Sequence, residues 1–549
     1  MNLKKDKVKK LNMKIVLIRV IAGNGMTPNY IPPLGLMYLA SSLEAEGHMV
    51  MISDAALTLE RDQSIVSTLK EFKPDLIGIG GIITAYKRAI ILSSILREEF
   101  MNVPQVFGGH LASHIPHVIL QNSECDYVVH GYGEKTLCEL VRRLEKNIDC
   151  CDLNGISWKM NSGDVVFNGF PDKIQIDEYP FPAYHLVDME RYIVGLQGTK
   201  MGDFIVKKNL PNSLREIRTM LVMASRGCVA RCSFCVHDVT PYRGIQIHSM
   251  EKLIENISFL YEHYQIRNFL IGEEMFIFSD KKRKEFISIM REKFPDVYYS
   301  FPVLADMINP EMVADFSDSN CTSLSTGFES GSERILKMMK KRANAQQNKE
   351  AVNVLSKSIY LPIGCIMVGH PGENWDTFKE TLELVKQFQK GMGCNVFFTT
   401  PYPGSLLYLW AIKNKIIRNE VEFLLKISDL PASKFTINLT TFPDYIIRLM
   451  RFCLFNFTYK IDRKFFQQLG VKQLIRLGLK GLVITPKYYA AYFIAFVYFR
   501  YRKFLSNSIK KYKYDFITQK ISSDSLVVSD VNIYYEKGAN SFVANIVSH

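Results

Sequence analysis

Three cysteines stand close together in Ser225-Arg226-Gly227-Cys228-Val229-Ala230-Arg231-Cys232-Ser233-Phe234-Cys235, spaced x3 and then x2. Thiolates at such spacing are metal ligands. Three of them can hold three irons of a cubane cluster and leave the fourth iron open for a small ligand. A closed structural zinc site wants a fourth protein ligand, and His237 lies two residues on. Zinc is therefore the competing reading of the bare spacing. A second group of residues suited to chemistry follows at regular intervals. Gly272-Glu273-Glu274, Gly327-Phe328-Glu329-Ser330-Gly331-Ser332, Gly369-His370-Pro371-Gly372-Glu373 and Pro401-Tyr402-Pro403-Gly404-Ser405 each come directly after an apolar run. Carboxylates in such turns accept from cationic amines, although a solvated loop is the plainer reading of any one of them.

The apolar runs predict the elements that carry these motifs. Strands are expected at Met220–Ala224, Arg267–Ile271, Val297–Val303, Ser323–Thr326, Ile363–Val368 and Asn395–Thr400, with helices between them such as Lys252–Tyr264 and Trp375–Gln389. Six βα units predict a partial barrel, whose chemistry collects at the strand carboxyl ends. Ser332 is well placed to cap the helix Glu333–Met339.

Upstream the pattern is again strand then helix. Strands are expected at Lys14–Val20, His48–Ser53, Asp75–Gly80, Pro104–Phe107 and Asp126–His130, with helices such as Gly35–Glu46 and Ala85–Glu98. This predicts a parallel, doubly wound sheet of flavodoxin-like type, with ligands beyond the strand carboxyl ends. Those ends carry Leu34, Gly35, Gly80, Thr84, Gly108, Gly109, His110, Gly131, Gly133 and Glu134. Glycines there let backbone approach a large flat ligand, or merely make tight turns.

Taken together, these motifs resemble the radical S-adenosylmethionine (radical SAM) enzymes that carry a cobalamin-binding domain ahead of the radical SAM domain. The cysteine stretch resembles the superfamily signature. Pro32-Pro33-Leu34-Gly35 after strand one, Gly108-Gly109-His110 after strand four and Gly131-Tyr132-Gly133-Glu134 after strand five are similar to the cobalamin domain. The resemblance implies a 4Fe–4S cluster on Cys228, Cys232 and Cys235. It implies SAM contacts from Phe234, Gly272, Glu273, Glu274, Glu329, Gly369 and Pro371, and cobalamin contacts from the strand-end residues named above. It also implies homolysis of SAM, hydrogen abstraction from an unactivated carbon and methyl transfer from cobalamin, with flavodoxin or ferredoxin as electron donor. Three features depart from the family pattern. Tyr132 replaces a common Glu. Leu304-Ala305-Asp306 replaces a common Arg-x-Asp. None of the 11 histidines has Asp two residues before it, so no Asp-x-His-x-x-Gly cobalt ligand is present. The loop Ala22–Tyr30 is then expected near the cobalt. Oxidative ring formation, as in the anaerobic porphyrin cyclases, uses the same parts. RNA methylthiolation fits less well, because Cys125, Cys138, Cys150 and Cys151 do not form a second cluster motif. A non-catalytic cobalamin sensor would need no open iron.

Composition frames this reading. The 549 residues are 47% hydrophobic, enough for several domains with real cores. We expect a cobalamin-binding domain at 1–150, a linker at 151–215 containing the rigid Tyr179-Pro180-Phe181-Pro182, a radical SAM barrel at 216–425 and a mostly helical region at 426–549. Eleven scattered cysteines argue for a reducing, cytoplasmic setting rather than a disulfide scaffold. The N-terminal apolar run is too short for a signal-peptide core, and no window of 18 residues suits a membrane span. The net charge of +13 belongs to residues 441–520, with 16 Lys/Arg against 3 Asp/Glu and 20 aromatics. Helical patterns there cover Ile446–Tyr459, Lys464–Leu482 and Lys487–Lys503. Tyr488–Phe499 is uncharged and aromatic, which suits a peripheral membrane surface or a cap over the barrel mouth. Interleaved aliphatics argue against nucleic acid. The tail after Ser522 reads as strand-like or loose.

Overall fold

The computed structural model describes residues 12–459 apart from 21–29, 59–61, 172–174, 198–215, 237–243, 273–278, 361–362, 389–393 and 429, together with 531–533 and 544–546. The first sheet contains β1 (Lys14–Val20), β2 (Met49–Asp54), β3 (Leu76–Gly81), β4 (Gln105–Gly108), β5 (Tyr127–Val129), β6 (Ile156–Lys159) and β7 (Val165–Phe167) in the order β2-β1-β3-β4-β5-β6-β7. β1 to β5 run parallel, as their unbroken apolar sequences require when both faces are covered. The order 2-1-3-4-5 is the flavodoxin-like one, with its switch point between β1 and β3. β6 and β7 add antiparallel at the β5 edge. They come from the stretch expected as a linker, and their short alternating sequences suit an edge.

The second sheet contains β8 (Thr219–Met223), then, after a small ribbon of β9 (Ser225–Cys228) and β10 (Gly244–Ile247), β11 (Asn268–Gly272), β12 (Tyr298–Pro302), β13 (Cys321–Glu329), β14 (Ile363–Val368) and β15 (Cys394–Phe398). Its six strands lie in chain order, all parallel, which is the partial barrel expected. Side chains of Ser249, Asn309, Asn374 and Ser405 cap the helices that follow strands, each contributing about 1 kcal/mol. Ser332 stands at the N-cap of Glu333–Met338 but makes no cap bond, and its hydroxyl is buried without a hydrogen-bond partner among the described residues. β13 runs further than expected. Gly327, Phe328 and Glu329 lie on the strand, past a register shift, rather than in a loop beyond it.

Two apolar clusters tie the sheets together. Leu34, Met37 and Leu57 of the first unit pack into the barrel core beside Tyr184, Tyr192 and Met220. Leu407, Tyr408, Phe423 and Leu424, from helices after β15, pack on the first sheet with Tyr86 and Leu111. The helix Met189–Gln197 lies against β8, and Asp444–Tyr459 lies against β15, where Arg451 Nε donates to the Val396 carbonyl at 2.7 Å. The expected helices Lys464–Leu482 and Lys487–Lys503 lie outside the described residues. The tail contributes two short strands, Val531–Ile533 and Ala544–Ile546. Among the described residues no helix is long and apolar enough to cross a membrane.

Candidate functional site

The cysteine loop grows directly from the end of β8. β9 turns back against β10, placing Cys228 opposite Gly244. Gly227 between them has φ +85, and a Cβ there would stand 2.4 Å from the Gly244 carbonyl oxygen. Only glycine fits so tight a crossing. Ala230 N–H then donates to Cys228 Sγ at 3.4 Å, and Cys235 N–H to the Cys232 carbonyl at 3.0 Å. Ser233 anchors the loop from both sides. Its N–H donates to the Met339 carbonyl at 2.7 Å, and its own carbonyl accepts from Leu407 N–H at 2.8 Å. Cys228 and Cys235 are half-buried and Cys232 is buried. Burial pushes the Cys232 thiol up to about 12, opposed by the nearby Lys341 charge. Among the described residues, no three His, Cys, Asp or Glu side chains converge tightly enough for a single metal ion. His237 lies outside the described residues.

The structure gathers three residues around Lys341. Glu329 ends β13 with φ +61, is buried, and accepts from Lys341 Nζ at 3.1 Å. Gly327 makes room for it, since a Cβ there would lie 2.3 Å from Glu329 Oε1. Lys341 Nζ also stands 6.0 Å from the Phe234 ring centre, and its charge reaches Cys232. Phe234 itself packs against the cluster containing Leu407. Gly272 ends β11; Glu273 and Glu274 lie outside the described residues.

Gly369 and Pro371 form a turn of their own. Gly369, at φ +90, donates its N–H to Glu373 Oε2 at 2.5 Å, and His370 Nδ1 bonds the Pro371 carbonyl at 2.9 Å. Burial lowers His370 to about 4, so the ring is neutral, and raises Glu373 from 4.5 to about 7. The native state thus holds the Glu373 proton more tightly than the unfolded chain does. The associated stability is complete below pH 4.5 and is lost as pH rises to about 7, on the order of 3 kcal/mol. Glu373→Gln is expected to remove that slope. Urea unfolding near the two ends of this window checks it; equal slopes in wild type and variant would refute the assignment.

On the first sheet, β3, β4 and β5 end in Gly80-Gly81, Gly108-Gly109 and Gly131 with Gly133. Gly109 and Gly131 have positive φ, and Gly35 has nothing within 4 Å of a would-be Cβ. These adjoining ends form a glycine-rich floor, the kind of place where backbone can approach a broad flat ring system. Thr84 sits half-buried in a single turn after β3, and His110 is exposed, its ring 6.1 Å from that of His114. Leu34 turns away into the barrel core. Glu134 is buried, and its Oε1 accepts from Arg226 Nη1 at 2.6 Å. The Ala22–Tyr30 loop lies outside the described residues, apart from Tyr30.

The two sheets meet carboxyl end to carboxyl end. Arg226 after β8 reaches Glu134 after β5. Gly404 after β15 touches His114 after β4, where a Cβ would come within 2.5 Å of the imidazole. Sequence reasoning assigned nothing to Arg226, Lys341, or the pair of buried His248 with exposed Asp177, which bond at 2.6 Å. A charged residue inside the cysteine stretch was the available signal for Arg226.

The model of the Radical SAM superfamily matches residues 222–385, and that of the B12 binding domain matches residues 22–141. An uncharacterized methyltransferase of Pyrococcus horikoshii is 28% identical over 417 residues, covering 74% of this chain and 84% of the relative. The anaerobic magnesium-protoporphyrin IX monomethyl ester cyclase of Rubrivivax gelatinosus is 25% identical, covering 71% and 66%. The hopanoid C-3 methylase of Methylococcus capsulatus is 24% identical, covering 68% of each. The radical SAM methyltransferase TsrM of Kitasatospora setae, solved with cobalamin and a [4Fe-4S] cluster, superposes with a TM-score of 0.57 at 16% identity, covering 74% of this chain and 75% of that one.

Proposed function

The chain belongs to the radical SAM enzymes that carry a B12 binding domain ahead of the radical SAM domain, and from that premise we propose a C-methyltransferase acting on an unactivated carbon of an apolar small molecule or lipid. Its cofactors are a 4Fe–4S cluster, SAM and cobalamin. The observation that supports the proposal is the meeting of the two carboxyl faces, which brings Arg226 of the cysteine loop against Glu134 beside the glycine-rich floor. When bound, the cluster and SAM supply a radical able to take hydrogen from an inert carbon, and cobalamin supplies the methyl group. The protein's share is holding and screening. Cys228, Cys232 and Cys235 hold the irons. Glu329 and Lys341 set opposite charges beside Cys232 and Phe234, a setting for the ammonium and carboxylate of the methionine portion of SAM. Phe234 offers a flat face to adenine. Gly272 at the end of β11, and Gly369 and Pro371 after β14, are proposed SAM contacts, as are Glu273 and Glu274. The glycine floor seats the corrin ring, and the closure of one face on the other keeps water out.

An apolar substrate is supported by the similarity to a hopanoid methylase and by the 20 aromatics of residues 441–520. A flavodoxin or ferredoxin is the proposed electron donor. The similarity to a porphyrin ester cyclase favours ring formation as the second reading. One experiment separates them. Anaerobic enzyme, reductant and methyl-labelled SAM are incubated with a lipid and small-molecule extract of the native cells. Methylation predicts label in a product, with equal amounts of 5′-deoxyadenosine and S-adenosylhomocysteine. An oxidised, unlabelled product points to the cyclase, and absence of SAM cleavage sinks both.

A further inference from the structure

Arg226 opens the cysteine loop two residues before Cys228, yet its side chain points away toward the first sheet. It is 7% exposed. Nη1 donates to Glu134 Oε1 at 2.6 Å and Nε to Met223 Sδ at 3.3 Å. The guanidinium stands 4.7, 5.1 and 5.9 Å from the ring centres of Tyr38, Tyr132 and Tyr179. Apart from Met223 at the end of β8, these partners come from three separate places: the helix after β1, the turn and helix start after β5, and the segment after β7. On its own ribbon Arg226 pairs with Gln246 of β10. One side chain therefore joins the cysteine loop to the ends of the first sheet.

Stability does not explain this arrangement. Burying both charges costs desolvation that the attraction only roughly offsets, and a well-packed apolar pair would hold the sheets at least as firmly. The polar satisfaction is also incomplete. Glu134 Oε2, Ser225 Oγ and both side-chain polar atoms of Gln246 are buried without a hydrogen-bond partner among the described residues. What the pair does supply is direction. Apolar faces slide over each other at little cost. A planar guanidinium fork held by one charge-assisted hydrogen bond to its carboxylate, with aromatic faces around it, restrains both distance and angle. Glu134, expected among the cobalamin contacts, is in this structure the anchor of that fork.

We propose that Arg226 is a positioning residue, which through Glu134 sets the separation and orientation of the iron–sulfur cluster relative to cobalamin. This inference rests on the two-cofactor reading given above. Full-length protein reconstituted with iron, sulfide and hydroxocobalamin is reduced until cluster and cobalt are both paramagnetic. Electron paramagnetic resonance then reads the magnetic interaction between them, normalised to the iron and cobalt content of the same sample. Arg226→Gln and Glu134→Gln are each expected to lose that interaction in part or whole. Arg226→Lys, which keeps the charge without the fork, should recover an intermediate value. Unchanged interaction in loaded Gln variants overturns the inference alone. Failure of Arg226→Lys to hold iron also overturns it, because the residue would then serve cluster assembly. Wild-type protein that takes up no cobalamin overturns the two-cofactor reading and this inference with it, and that result shows in the wild-type spectrum.

Discussion

Alanine at Cys228, Cys232 or Cys235 is expected to leave a folded protein that lacks the brown absorption of the cluster and no longer cleaves SAM. The reason is stoichiometric as well as structural. On the proposed reading each thiolate serves one iron, so a variant lacking one of them leaves one iron without its protein ligand. Loss of outer-shell partners alone costs metal sites about 10–100-fold, so loss of a ligand should exceed about 100-fold in iron retention and activity. Cys151, exposed and far from the loop in sequence, is the control; Cys151→Ala should keep full iron content. Anaerobic iron analysis, the visible spectrum and 5′-deoxyadenosine release make the comparison. Variants that keep brown colour and SAM cleavage would sink the assignment. One zinc per wild-type chain would restore the mononuclear alternative.

Gly227→Ala is expected to be nearly as damaging although every ligand remains. At φ +85 an alanine is strained by about 1–2 kcal/mol. The larger problem is the partner. The added methyl would lie 2.4 Å from a backbone oxygen, that of Gly244, which cannot rotate aside as a side chain could. The β9–β10 ribbon must therefore open, and Cys228 moves with it. Iron content should fall more than about tenfold while far-UV circular dichroism stays near wild type, since both large sheets are formed elsewhere. Gly244→Ala isolates the strain term: φ is +108, but nothing lies within 4 Å of the new methyl. It should be distinctly milder. Wild-type iron content in Gly227→Ala would show that the crossing is looser than the geometry indicates.

Much of this architecture was legible in the chain because parallel strands buried on both faces leave long apolar runs. Lys14–Val20 and Ile363–Val368 were read to the residue, and Gly80-Gly81 and Gly108-Gly109 mark the turns after β3 and β4. The cysteine loop was legible for a different reason. Cys228, Cys232 and Cys235 lie within one short segment, so local spacing carries the information. What escaped depends on contacts between distant segments. Arg226 and Glu134 are 92 positions apart, and nothing in either neighbourhood requires the other. The pairing of β6 on β5 was equally hidden, since a short strand does not announce its partner. At Gly327-Phe328-Glu329 the glycine was read as a loop signal. It sits on a strand because the Glu329 carboxylate needs the space that a side chain would fill.

An incomplete barrel has two raw seams, and both are hemmed here. The helix Met189–Gln197 shields the β8 seam. Asp444–Tyr459 shields the β15 seam, with Arg451 occupying an otherwise vacant acceptor on Val396. Among the described residues, neither edge of the barrel sheet is then left as a bare ladder for a second copy. A half-barrel can thus stay unclosed without offering its own two seams as a seed for fibres.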